Sequence, residues 1–159
     1  MDEDTRRAEE RRELSRRFDT GDTEFSNIFF TPNISIEELL KRIAAGEKEF
    51  VDICLDDPNL SGINLAGANL TGAKLLSVNL SGANLEGANL SYAFLDGANL
   101  SGANLEGAKV AEGSVVGANL QNANLRGTIG SFGQAHRAFY HNTLMPYGNI
   151  CTEPYWQEG

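Results

Sequence analysis

Few residues in this chain have types suited to chemistry, and their spacing argues against a catalytic set. The two histidines, His136 and His141, stand five positions apart. No third ligand accompanies them at the spacing that a zinc site needs. Glu86 and Glu106 could act as paired acid and base only if the chain returns to the same side every twenty residues. No pocket is expected beside them, so they read as a solvated surface. Cys54 and Cys151 lie far apart, and a disulfide between them would need an oxidising compartment that nothing else indicates. The 17 glycines form neither a GxGxxG fingerprint nor a Walker loop. The expectation is a protein that is not an enzyme and holds no cofactor or metal.

The element that positions these residues is an internal repeat. From Leu55 to Leu125 every fifth residue is Leu, except for Val110 and Val115, and no insertion breaks the register. In the fourteen repeats centred on 60 to 125, Ala stands two before the centre in ten, Asn one before in ten, and Gly two after in ten. A helix places apolar residues three and four apart and a flat strand two apart, whereas here they alternate two and three. Ala and Leu, two apart, face the same side of an extended chain. The next Ala returns to that side only if the chain turns a corner between repeats. Gly sits at that corner, where positive φ suits it. The backbone therefore coils.

The unit A(N/D)LxG, seen here as SGANL EGANL and its neighbours, resembles that of the pentapeptide-repeat family. The resemblance implies an all-β fold: a right-handed quadrilateral parallel β-helix with four repeats, or twenty residues, per coil. The spacing alone leaves three or four sides open. EELLKRIAAGEKEF is similar to the segment that opens many cyanobacterial members. RAFYHNTLMPYGNI resembles their closing segment, which tends to read NTxMPDG, although Tyr147 stands where that pattern has Asp.

Four regions follow in order. Residues 1–31 are charged and expected to be mobile in part, although Ile28, Phe29 and Phe30 call for burial. Residues 32–49 hold an N-terminal α-helical cap. Ser35 and Glu38 have capping-box spacing, Ile36, Leu39, Leu40 and Ile43 make an apolar face, and Gly46 stops the helix. Residues 50–130 form the repeat β-helix, with Phe50 keeping its register. Residues 131–159 form a C-terminal cap and tail, with Phe132, Phe139, Tyr140, Leu144 and Met145 suited to plug the end and 151–159 read as tail.

A net charge of −9 opposes direct binding to nucleic acid or to an anionic membrane. No apolar run reaches the length of a spanning helix, and the Arg pairs at the N-terminus have no apolar segment behind them. The expected location is cytoplasmic and the expected state monomeric. One side departs from the rest. The side holding Leu55, Leu75, Leu95 and Val115 breaks the Asn rule in every coil, with Cys54, Lys74, Phe94 and Ser114 in that column, followed by Asp56, Leu76, Asp96 and Val116. Leu76, Phe94 and Val116 are expected to point outward, with Tyr92 near the corner. These four are the candidate contact with an as yet unknown protein partner.

Two functions are weighed. One is a non-enzymatic scaffold or adaptor that binds a protein through this face. The other is a DNA-mimicking inhibitor of a type II topoisomerase (gyrase), an activity of some bacterial members of the family. Residues 50–130 carry seven acids and three bases. That is thin for a rod imitating one phosphate every ~1.7 Å.

Overall fold

A computed structural model of the protein describes residues 33–55 and 59–152, with the backbone of 155–156. The expectations for 1–31, including burial of Ile28, Phe29 and Phe30, lie outside these residues, as does Asp56.

The alternation of two and three folds as its spacing demands. Ala and Leu side chains of successive repeats are buried in one continuous core, with Ala83, Leu85, Ala88 and Leu90 wholly shielded from solvent. Each repeat ends in a turn closed by a hydrogen bond from the amide of one Ala to the carbonyl of the preceding Leu, as in Ala68 to Leu65 at 3.0 Å. The third residue of that turn has positive φ, +67° at Gly67, the mark of a type II turn. Parallel bridges then join the residue before each centre to the one twenty further on, for example Asn59 to Asn79 and Asn79 to Asn99. Five residues per side and twenty per coil give four sides. The backbone bonds between coils are short, with Leu85 N–H on Asn104 C=O at 2.7 Å and Asn104 N–H on Ala83 C=O at 2.9 Å. The ladder therefore satisfies both groups of each repeat without a long strand.

At the N-terminal end stands helix α1, Ile36–Ala44. The Ser35 hydroxyl accepts the amide of Glu38 at 3.2 Å, and Gly46, at φ +82°, turns the chain away. Leu39 is buried in the core beside Phe50, and Ile36 and Ile43 pack partly against it. Leu40 departs from expectation, being exposed. It is one residue on from Leu39, about 100° around the helix, while Ile36, Leu39 and Ile43 keep the spacing of three and four that faces the coil. Arg42 bonds Glu47 through both carboxylate oxygens, and its guanidinium lies 5.1 Å from the Phe50 ring centroid. That bond holds the Glu47 carboxyl below its ordinary range.

The parallel ladder does not stop at 130. It continues through Lys109 to Ile129, Ser114 to Gln134 and Asn119 to Phe139, and ends at Asn124 to Leu144. Residues 151 and 155–156 are also not simply a tail. Strand β1 (Phe139–Tyr140) pairs antiparallel with β4 (Tyr155–Trp156), and β2 (Thr143–Leu144) with β3 (Ile150–Cys151). The turn at Gly148, φ +86°, reverses the chain between β2 and β3. Reversal makes these last pairs antiparallel, a change that the five-residue pattern does not encode. Among the described residues no helix is long and apolar enough to cross a membrane.

Candidate interaction face

Three sides of the coil share one outward construction. The Asn before each centre accepts, through Oδ1, the amide two residues on: Asn99 from Ser101 at 3.1 Å and Asn104 from Glu106 at 3.1 Å. On the two sides centred on Leu60 and Leu65 its Nδ2 also donates to the Asn twenty residues earlier, as Asn79 does to Asn59 at 3.1 Å and Asn124 to Asn104 at 3.0 Å; on the third, Asn69 donates to Glu49 at 2.7 Å and Lys109 follows Asn89. Each side-chain bond contributes on the order of 1 kcal/mol. This explains why Asn recurs where nothing needs burying.

The fourth side, centred on Leu55, Leu75, Leu95 and Val115, lacks this device. Cys54, Lys74, Phe94 and Ser114 occupy the Asn positions and pair only through backbone. Asp96 supplies a substitute. Its Oδ1 accepts the amide of Val116, twenty residues on, at 2.8 Å, and also the Ser114 hydroxyl. Spacing of eighteen and twenty residues between Asp96, Ser114 and Val116 is the sequence signal for this clamp, and reading by side alone missed it. Among the described residues, no side-chain oxygen accepts the amides of Leu76 or Asp96.

The four sequence-derived contact residues divide three to one. Leu76 is 58% exposed, Tyr92 59% and Phe94 47%. Val116 is half-buried, its strand drawn in by the bond to Asp96. Tyr92 sits at the corner position, with φ +61°, where the coil before it has Gly72 at φ +69°. A bulky side chain in the left-handed region costs roughly 1–2 kcal/mol of backbone strain. The protein bears that cost at a residue whose ring lies mostly in solvent.

Residues first read as possible chemistry lie elsewhere. Glu86 and Glu106 stack on the side opposite Phe94, between Ala66 and Arg126, and accept from Asn104 at 3.5 Å and Asn124 at 3.1 Å. His136 and His141 fall on adjacent sides of the last coil, with the His141 ring stacked 6.5 Å from that of Phe139. Cys54 and Cys151 are not joined in a disulfide, and the Cys151 thiol lies 4.0 Å from the Tyr140 carbonyl. Among the described residues no group of three His, Cys, Asp or Glu could hold a metal.

A family model described as Pentapeptide repeats matches in eight copies, over residues 55–87 and 79–112. The chain belongs to the pentapeptide-repeat family. Among solved structures, this pentapeptide-repeat chain is similar to HetL, a pentapeptide repeat protein involved in heterocyst differentiation regulation from the cyanobacterium Nostoc sp. strain PCC 7120. Identity is 32% over 64% of this chain and 42% of HetL, with a TM-score of 0.47. It is also similar to alr5209, a pentapeptide repeat protein from Nostoc PCC 7120, at 38% identity over 62% of this chain and 78% of that one, TM-score 0.48. A third, QnrB1, a plasmid-mediated fluoroquinolone resistance protein, is 18% identical over 70% of each chain, TM-score 0.29. This chain thus spans less than half the length of HetL. With all three TM-scores below 0.5, these superpositions carry no functional argument. No curated protein matches the sequence.

Proposed function

We propose that this protein is a non-enzymatic scaffold: a right-handed coil, closed at its N-terminal end by α1, that binds a protein partner through the side of Leu75 and Leu95. The protein acts as a cytoplasmic monomer in this reading. The observation that carries it is the cluster of Leu76, Tyr92 and Phe94, all exposed, on and beside the one side that has no Asn before any of its centres. Single exposed apolar residues are ordinary, but these three lie on one side and its adjoining corner, and one sits in a strained backbone. A solenoid shaped by stability alone would repeat the Asn device here and place Gly at 92.

The DNA-mimicking alternative needs an unbroken acidic stripe. The column of Glu86 and Glu106 is instead bounded by Ala66 and Arg126, so no observation favours it over the scaffold.

The test compares the proteins captured from the source cell by the wild type, by Phe94→Ser with Leu76→Ser, and by Glu86→Gln with Glu106→Gln on the opposite side. The reading expects one partner to be lost with the first double substitution and retained with the second. Retention by both variants moves the contact elsewhere.

A further inference from the structure

Among the described residues, the C-terminal end of the coil is covered on two sides and bare on two. Strands β3 and β4 lie over β2 and β1, on the sides that end in Leu144 and Phe139. No strand among the described residues lies over the sides centred on Gly130 and Ala135. In earlier coils, three backbone groups of each repeat bond to the coil that follows. For the repeat centred on Leu105, its amide donates to Asn124 C=O at 2.8 Å, the Gly107 amide to Arg126 C=O at 2.9 Å, and Ala103 C=O accepts from Asn124 N–H at 2.9 Å. The equivalent groups on the bare sides are the amides of Gly130, Phe132, Ala135 and Arg137 and the carbonyls of Thr128 and Gly133. Among the described residues, none of the six has a hydrogen-bond partner. They form an open strand edge with the donors and acceptors that the rest of the ladder uses.

An open cavity of about 710 Å³ adjoins this edge, its wall including Val110, Leu125, Phe132, Ala135, Tyr140 and Met145. That is within the range of built ligand sites, roughly 300–1,000 Å³. Val110 and Leu125 are buried core residues of the preceding coils, so the cavity is the unfilled continuation of the Leu and Ala interior.

Charge selects the occupant. Between Glu112 and Glu153 the sequence has no carboxylate, in a chain with 22 of them. The same stretch holds Arg126 and Arg137, both exposed, one just before and one just after the two bare sides. An acidic protein thus presents, at this end, an apolar cavity, an unpaired strand edge and two arginines.

We propose that this end binds an extended acidic peptide segment of a partner protein, added as one more parallel strand. Strand addition of this kind draws affinity from main-chain bonds and selectivity from the side chains that alternate into a pocket. Continuing the ladder places two apolar side chains, at positions i and i+2, into the cavity, with the residue between them facing out. Acidic residues on the outer side meet Arg126 and Arg137. A second copy of this chain is a poorer occupant end to end, because its N-terminal coil already carries α1 and the bond from Ile34 N–H to Cys54 C=O at 2.9 Å. The side centred on Ala135 continues the side of Phe94, but the site lies at the open end of the coil, two coils beyond that ring, and stands without a contact there.

The probe is the blocked ten-residue peptide ADLEGADLEG, titrated into the full, isotope-labelled chain. Nuclear magnetic resonance follows each amide's shift and hydrogen exchange. Shifts and slowed exchange should concentrate at Gly130, Phe132, Ala135 and Arg137. A peptide with both Leu replaced by Ser should bind at least tenfold more weakly, as should a version with Lys in place of Asp and Glu at low salt. The double variant R126E with R137G, in which Gly keeps the positive φ of 58° at 137, should lose at least tenfold affinity for the acidic peptide. No response of those four amides at millimolar peptide overturns the proposal. So does equal binding of the acidic and basic peptides. Protection of the same amides on raising protein concentration without peptide assigns the edge to a second copy and overturns the choice of occupant.

Discussion

Two neighbouring residues separate the packing of the coil from the proposed contact, and exchanging each in turn gives a quantitative test. Leu95 is 1% exposed, stacked in the core between Leu75 and Val115, while Phe94, one residue earlier, is 47% exposed. Leu95→Ala removes three buried carbons from a column that the coils above and below hold in place. Such truncations cost about 2–5 kcal/mol, the upper end applying where the walls cannot collapse. With 119 described residues, an unfolding entropy of roughly 2.1 cal/mol/K per residue makes 1 kcal/mol equal to about 4 °C in Tm. Leu95→Ala should therefore lower Tm by ~8–20 °C on this scale. Phe94→Ser touches an exposed ring and should stay within about ±0.5 kcal/mol, or ±2 °C. Calorimetry on the two variants reads both numbers. A fall of more than about 5 °C for Phe94→Ser, well outside that surface range, means that the ring is covered in the folded chain. The contact reading then fails.

Other consequences are open to measurement. Asp96→Ala removes the acceptor for Val116 N–H and the Ser114 hydroxyl and should cost about 1.5–3 kcal/mol by chemical denaturation; no change would show that water replaces the clamp. Deleting residues 1–49 uncovers Phe50 and the backbone edge of the first coil, so light scattering should show association or aggregation, and a monomeric product would make the cap dispensable. The Glu47 carboxyl, held below its ordinary range by the Arg42 hydrogen bond, lends α1 support that is present above the ordinary carboxylate pKa. That support is lost as pH falls through the lowered value. Amide exchange in α1 should accordingly quicken towards low pH relative to the central coils, and equal behaviour would remove any role for the pair. Purified protein should leave gyrase supercoiling unchanged at low micromolar concentration, because the acidic column is too short to imitate a duplex; strong inhibition would favour the DNA-mimicking reading.

Much of the coil was legible because its rule is local. Leu, Ala and the corner Gly each report their own environment, and a five-residue register can be counted without coordinates. What the register cannot report is where one residue type tolerates the role of another. Tyr92, Ser77 and Glu112 adopt the positive φ of a corner although none is Gly. The ladder imposes the turn and overrides their preference. Leu40 looked like part of an apolar face, but the coil accepts only a narrow stripe of α1. Pairing of β3 and β4 depends on a chain reversal near Gly148 that has no repeat to announce it. The Asp96 clamp was hidden for a different reason: its partners are adjacent in space and one full coil apart in sequence. The outward residues Leu76, Tyr92 and Phe94 were found by subtraction, as departures from a rule, and that method places a residue without saying how deeply it sits. Val116 shows the difference.

The corner every five residues and the bridge every twenty have an arithmetic consequence for insertions. Because all four sides present the same inward Ala and Leu, a segment of five residues can be added anywhere in the coil and still fill the core. Everything beyond it, however, advances by one side, a quarter-turn about the rod. An insertion of twenty restores the alignment and lengthens the rod by one strand spacing, about 4.8 Å. Five residues placed between Leu76 and Phe94 would leave the interior intact while carrying the two onto different sides. Orientation of one surface feature relative to another is thus a variable that this chain can change in units of ninety degrees, with no change in its interior chemistry.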